Sequence, residues 1–372
     1  MHYHLLVNDQ CNLHCRYCKG NIFRPDLCDT WRGLPTSCEA EMTYPLEVLE
    51  HFLRKDPDPI LTFYGGEPLM SVPAICDIMD RISWGKFMLH TNGTLMDRID
   101  PDYLHAMHSI LVSIDGREKV HDNHRGRGSY RLVMENCRLL DETGYEGELI
   151  ARMTVTEDTD IFQDVIHLTD NEIHPFSAIN WQLNANFYSD YESRNFGEWV
   201  SGSYIPGLWN LAEEWARQME NDGRVCMWYP FVDTMQDLLE GKASASLRCG
   251  SGFANYSILP DGNIAPCPCM RGMEEYYAGH ISDADPMNLP HISVEGECQG
   301  CDEYDFCGGR CLYSNILHPW PPEGRRWIYH TVRALHETVA NMQDNVQGLI
   351  GAGRISMDQF AHQKYHGCEI IP

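Results

Sequence analysis

Short apolar runs separated by stretches of helical periodicity fill the first half of the chain. Runs at 2–7, 60–64, 86–90, 110–114, 149–155 and 178–184 are rich in Leu, Ile, Val and aromatic residues and read as strands. Between them, apolar residues spaced for one helix face predict helices over 45–54, 72–83, 101–107, 130–142 and 161–171. Strand alternating with helix predicts βαβ units and a parallel sheet. Six such units predict a partial barrel of mixed α/β class rather than a closed eight-stranded one. In parallel sheets the chemistry sits at the C-terminal strand ends. Here each run is followed at once by polar or glycine residues: Asn8-Asp9, Gly65-Gly66-Glu67, Thr91-Asn92-Gly93, Asp115-Gly116 and Asn184.

From about residue 186 the pattern changes. Trp199, Trp209, Trp215 and Trp228 sit among helical stretches around 205–221 and 231–240, a density of aromatics that signals packing. From 249 to 318 the chain is rich in Gly, Pro and Cys and poor in periodicity, so it is expected to need metal ligation to hold a fold. A long amphipathic helix over about 325–349 and a tail follow. The expected organisation is a barrel over 1–200, a helical bridge over 201–245, a cysteine-rich domain over 246–318, and a C-terminal helix and tail over 319–372.

Composition narrows the function. With 372 residues the chain has room for two or three domains. Its 28 Lys and Arg against 54 Asp and Glu give a formal charge of −26. That argues against a nucleic-acid groove and against an anionic membrane surface. The first residues lack the basic and long apolar regions of a secretory signal, and no apolar run reaches the length of a membrane span. The expectation is therefore a cytoplasmic protein, where disulfides do not persist. Sixteen cysteines in such a chain point to metal or redox chemistry.

Cys11, Cys15 and Cys18 follow the first strand with the spacing C-x3-C-x2-C. Polar Asn12, His14, Arg16 and Lys19 surround them, which argues against a buried apolar stripe. Three thiolates are one short of the usual four of a 4Fe–4S cluster and leave one iron open. On this spacing the chain resembles the radical S-adenosylmethionine (SAM) superfamily, and further motifs fall in order at strand ends. Gly65-Gly66-Glu67-Pro68 is similar to the family's GGEP segment, which contacts the SAM amino group. Thr91-Asn92-Gly93 resembles the family's TNG, and Ser113-Ile114-Asp115-Gly116 its SxDG. Arg152 resembles the fifth-strand arginine near the SAM carboxylate, and Tyr17 the aromatic that lies against the adenine. His121, Asp122 and Arg125 resemble a charged stretch of the family, read here as ordering a loop.

A second cysteine field extends the resemblance. Cys249, Gly262 and Cys267 read C-x12-G-x4-C, and Cys298, Cys301, Cys307 and Cys311 read C-x2-C-x5-C-x3-C. This is similar to the SPASM extension of radical SAM enzymes, which implies two auxiliary 4Fe–4S clusters. By that resemblance Cys249, Cys267 and Cys311 serve the first, and Cys298, Cys301 and Cys307 the second. Cys269 and the distant Cys368 are the candidate closing ligands. Taken without the first cluster, the second block would also suit a zinc ribbon. Cys28, Cys38, Cys76, Cys137 and Cys226 remain over. Cys28 and Cys38 follow the first cysteine loop closely enough to line an active site, although buried single thiols are the commoner case.

The resemblance implies an enzyme that reductively cleaves SAM to a 5′-deoxyadenosyl radical and modifies a peptide or protein, by thioether or carbon crosslink or by side-chain oxidation. It resembles the short peptide-modifying SPASM enzymes of anaerobes and archaea. The alternatives are action on a small-molecule or cofactor precursor, and a non-catalytic iron–sulfur electron carrier. The sulfatase-maturing branch has an aspartate after the cysteine that Cys267 matches, and Pro268 stands there, so formylglycine formation is disfavoured. The cysteine loop begins at residue 11, so the leader-binding domain of many thioether-forming relatives is expected to be absent. Implied partners are the peptide or protein substrate, an electron donor such as ferredoxin or flavodoxin, and, as one option, a separate leader-binding protein. No nucleic acid or membrane partner is expected.

Overall fold

A computed structural model describes residues 1–18, 41–242, 245–368 and 371–372. They form two compact units: Met1–Ile114 with His121–Ile150 and Gly250–Ser293, and Asp115–Val120 with Ala151–Cys249 and Val294–Pro372.

The first unit is built on strands β1 (His2–Asn8), β2 (Ile60–Gly65), β3 (Lys86–Thr91) and β4 (Met107–Ser113). Each pairs in parallel with the next, with Tyr3 opposite Leu61 and Leu61 opposite Phe87. Both faces of β1 are buried, which accounts for a run with little polar alternation. Tyr3 packs edge-on against Phe52 of the helix Leu46–Leu53, with ring centroids 5.6 Å apart. The strand begins three residues earlier at β4 than the apolar run suggests. The preceding helix stops at His105, and Met107 already pairs with Phe87.

Strand β5 (Glu148–Val155) leads into the second unit, where β6 (Ala178–Leu183) and β7 (Met227–Trp228) continue. There the order is β5, β6, β7, with β6 and β7 parallel. Of the tryptophans whose density suggests packing, Trp199, Trp215 and Trp228 are core, whereas Trp209 is exposed. Trp181, Trp215 and Trp228 are fully buried, and each meets the ring of Phe231 edge-on.

Three differences from the sequence pattern have physical causes. The Gly- and Cys-rich segment carries strands of its own, β8 (Asn255–Ile258) and β9 (Ile264–Ala265). β8 adds in parallel to the second edge of β1 and β9 returns antiparallel. Leu259 and Ala265 close against Leu6. This part of the segment is therefore held by the sheet, and not by metal ligation alone. Second, the charged stretch after β4 forms the helix Glu118–Arg125, not a loop. Asp122 accepts the N–H groups of Gly128 and Tyr130 at 2.6 and 3.0 Å, which fixes the start of the helix Ser129–Glu142. Third, the single long helix is two, Pro322–Ala340 and Gln343–Gly351. It starts early because Pro322 suits a first turn. It breaks where Met342 N–H reaches back three residues to Val339 and tightens the last turn.

Candidate functional site

The parallel strands of the first unit place Asn8, Gly65, Thr91 and Ser113 at one edge of the sheet, and the cysteine loop leaves from it. Backbone contact fixes that loop. The Gly66 N–H donates to Asn8 O at 3.0 Å and the Glu67 N–H to Gln10 O at 2.7 Å. A Cβ on Gly65 would stand 2.1 Å from Asn8 O, and one on Gly66 2.2 Å from Gln10 O. Only glycine lets the two main chains lie this close. Gly66→Ala is therefore expected to exceed ordinary overpacking of about 1–3 kcal/mol. It should slow SAM cleavage at least about tenfold, each factor of ten being about 1.4 kcal/mol. Wild-type 5′-deoxyadenosine release in this variant would contradict that placement.

Glu67 is turned inward and fully buried. Its carboxylate accepts the Thr91 hydroxyl at 2.7 Å, the Asn92 N–H at 2.7 Å and the Leu69 N–H at 3.0 Å. Burial pushes its pKa up, and these three donors oppose the shift. The side chain thus ties the second strand end to the third, and what this segment offers a ligand is its backbone. Asn92 continues the network. Its side-chain amide donates to Asn12 Oδ1 at 2.8 Å and lies 3.8 Å from Cys11 Sγ. Asn12 donates in turn to Thr94 at 2.8 Å. Cys11 Sγ also accepts the Leu13 N–H at 3.4 Å. Burial raises the Cys11 thiol pKa, with these donors lowering it. Cys15 is buried and Cys18 half-buried.

Three residues enter the loop's surroundings that the spacing alone did not single out for this place. Arg16 N–H donates to His124 O at 3.0 Å. The Tyr17 ring lies 5.3 Å from His124 and 5.4 Å from the Arg125 guanidinium. Arg271, buried in the Gly- and Cys-rich segment, pairs with Asp9 two residues before Cys11. In the same segment Cys267 Sγ accepts the Cys269 N–H at 3.2 Å.

The second unit holds the other expected site residues. Asp115 is buried and accepts the Thr154 N–H at 2.9 Å. Arg152 donates to Gln182 Oε1 at 2.7 Å, and its Nε is buried with no acceptor among the described residues. A guanidinium with a spare buried N–H suits a carboxylate ligand. Cys298, Cys301, Cys307 and Cys311 together line a cavity of about 430 Å³. Cys298 Sγ accepts the Asn315 side-chain amide at 3.3 Å. Burial raises the Cys298 thiol pKa and pushes Cys307 up to about 12. Cys368 is fully buried, its carbonyl held by Asn180 at 2.8 Å, and it does not line that cavity. Cys249 also belongs to this unit. Among the described residues no three His, Cys, Asp or Glu side chains stand close enough to share one metal ion.

Cys137 and Cys226 are buried, and Cys226 donates to Gln218 Oε1 at 2.6 Å, so both read as packing. Cys76 is half-buried. Cys28 and Cys38 lie outside the described residues. Among the described residues no helix is long and apolar enough to cross a membrane.

Residues 5–168 match the family model of the radical SAM superfamily. Over 346 residues the chain is 22% identical to the radical SAM cyclopropyl synthase TigE of Paramaledivibacter caminithermalis, covering 84% of this chain and 69% of that protein. Among solved structures, anSMEcpe with bound AdoMet covers 92% of this chain and 100% of its own, with a TM-score of 0.65 at 18% identity. The same protein with AdoMet and the Kp18Cys peptide gives 0.66 over 91% and 99%, at 18% identity. SuiB of Streptococcus suis bound to S-adenosylmethionine gives 0.51 over 85% and 74%, at 16% identity. The fold is the partial barrel of the radical SAM enzymes. That family implies a 4Fe–4S cluster and SAM.

Proposed function

We propose, from a chain whose residues 5–168 are a radical SAM domain, that this enzyme modifies a peptide or protein substrate by radical chemistry. The observation that carries the reading is the Cys11–Cys18 loop, fixed against Gly66 by backbone bonds and against Asn92 by the Glu67 network. Cys11, Cys15 and Cys18 would hold the 4Fe–4S cluster. Bound there in its reduced form, the cluster would supply the one electron that cleaves SAM to a radical able to take an unactivated hydrogen from the substrate. The protein's share is position and exclusion of water. The backbone of Gly65, Gly66, Glu67 and Pro68, with Thr91 and Asn92, would shape the SAM pocket. Arg152 would take the SAM carboxylate, Tyr17 the adenine, and Ser113 and Asp115 would order the turn after β4.

Peptide action is supported by the fold shared with anSMEcpe, which has been solved with a bound peptide. In this reading the cysteine-rich segment over 246–318 holds two auxiliary clusters, and the electron donor is a ferredoxin or flavodoxin. Reconstituted protein is then expected to bind about twelve irons per chain, from three four-iron clusters. About four irons with one zinc would contradict it. Two ligand sets are open: Cys311 lines one cavity with Cys298, Cys301 and Cys307, whereas the family resemblance sets those three with Cys368. Cys311→Ala and Cys368→Ala, compared by iron content and cluster spectra, separate the two sets. The set is the cavity's four if only Cys311→Ala degrades the cluster held by Cys298.

The substrate class is tested with the reduced enzyme, SAM and a short Cys- or Ser-rich peptide. A mass change in the peptide, with 5′-deoxyadenosine released, is the expected result. An unchanged peptide, with turnover instead of a tetrapyrrole or quinone precursor, would favour the small-molecule reading.

A further inference from the structure

Where the cysteine loop begins, β1 loses its two neighbours at different points. Toward β2 the ladder runs on to Asn8, opposite Gly65. Toward β8 it ends at Leu5, opposite Ile258. Asp9 and Gln10 stay in main-chain contact with the turn after β2, where a Cβ on Gly66 would stand 2.5 Å from Asp9 O. From the segment that carries β8 and β9, a side chain reaches the same stretch. Arg271 Nη1 donates to Asp9 Oδ1.

Arg271 is presented by a braced turn. Before it, Cys267 O accepts the Met270 N–H at 3.0 Å, closing the short helix Pro268–Met270. After it, the Gly272 N–H donates to the Tyr277 hydroxyl at 2.8 Å, and Tyr277 packs against Leu6, Leu259 and Ala265. The Ala278 N–H then bonds Ile264 O in β9 at 2.7 Å. The Arg271 side chain is 7% exposed and that of Asp9 35%. A buried, anchored base thus holds a more exposed acid, by a charge-assisted bond. The pair stands two residues from Cys269 along one stretch of chain and two from Cys11 along the other. Both stretches belong to the first unit.

We propose that Arg271 is a positioning residue for SAM cleavage, holding the Cys11 loop against the Gly65-Gly66 turn through Asp9. This rests on the SAM-cleaving role proposed for that loop. In the proposed site the Cys11 loop and the Gly65–Pro68 backbone hold the two reacting partners, so the spacing between loop and turn sets the rate. A misplacement of about 1 Å costs on the order of a hundredfold in such a geometry. The turn that carries Cys267 and Cys269 thereby supports the first cysteine site without touching it.

The test is a double-mutant cycle on anaerobically reconstituted, chemically reduced protein: wild type, Asp9→Asn, Arg271→Met and the two combined, with Arg271→Lys beside them. The readouts are iron content, the rate of 5′-deoxyadenosine release, and the change that SAM makes in the electron paramagnetic resonance signal of the reduced Cys11-loop cluster. At full iron content each single variant should be at least about tenfold slower than wild type, with the SAM-induced signal change altered. The combined variant should be about as slow as the slower single one, because the two side chains act as one contact. Arg271→Lys keeps the charge without the planar fork and should recover part of the rate. A wild-type rate in either single variant overturns the proposal, and so do losses that multiply in the combined variant. Should Arg271→Met lose iron, Asp9→Asn decides alone: slowing at full iron supports the proposal and a wild-type rate overturns it. A wild type at full iron that releases no 5′-deoxyadenosine overturns the SAM-cleaving reading itself, and this inference with it.

Discussion

Replacing Cys11, Cys15 and Cys18 together by alanine abolishes 5′-deoxyadenosine formation from SAM while leaving the iron held by the other cysteines in place. The loop is the part of the first unit where thiols, the Gly65-Gly66 backbone and the Asn92 amide meet. The fold does not depend on these three sulfurs. The loop's backbone bonds to the β2 turn come from Asn8 and Gln10, and the Glu67 network closes without a cysteine. The variant should therefore remain folded and keep about two thirds of its iron, as two of three four-iron clusters. Iron analysis with product chromatography reads both quantities. SAM cleavage by the triple variant would remove the loop from the chemistry.

Asp233→Asn is expected to be the most destabilising single change in the second unit. Asp233 is buried and pairs with Arg248 and Lys364, while His362 Nε2 stands 3.3 Å from it. Arg248 is equally buried, with Asp237 2.8 Å away as its other acid. Removing one member of a buried ion pair strands the other charge and costs about 3–5 kcal/mol. The cluster also reaches the candidate metal site. Arg248 precedes Cys249, donates to Phe306 O at 3.2 Å and lies 5.2 Å over the Phe306 ring, one residue before Cys307. Loss of stability in urea should thus come with loss of auxiliary iron. Burial pushes the Asp233 carboxyl up, but Arg248, with His362 and Lys364, reverses this and holds it well below the ordinary carboxylate range. The folded value is depressed, so its stabilisation is complete above pH about 4. It is lost as pH falls through that depressed value. Asp233→Asn should accordingly flatten the acid limb of the stability profile. A variant with wild-type urea stability would show that the ion cluster contributes nothing net.

Much of the first unit was legible because its signals are local. A strand with both faces buried reads as one apolar run, and the strand-end motifs Gly65-Gly66-Glu67 and Thr91-Asn92-Gly93 each occupy a single turn. What those motifs do to one another was not legible. Glu67 spends its carboxylate on Thr91 and Asn92, a contact across 25 residues that no periodicity encodes. Tyr17 meets His124 and Arg125 for the same reason, although a charged stretch around His121 and Arg125 marked the neighbourhood. Strands β8 and β9 span four and two residues, too few for alternation to stand out. In the cysteine-rich segment, the family resemblance sets Cys311 with Cys249 and Cys267. That Cys311 also lines one cavity with Cys298, Cys301 and Cys307 was not legible, because it depends on the tight Gly308–Gly309 turn.

Whether the Cys11 loop and its two partner turns form a SAM-cleaving site, as proposed, is tested most directly by the yield of 5′-deoxyadenosine from SAM with anaerobically reconstituted, chemically reduced wild-type protein. At least one equivalent per chain is expected. No 5′-deoxyadenosine from protein at full iron content would contradict it.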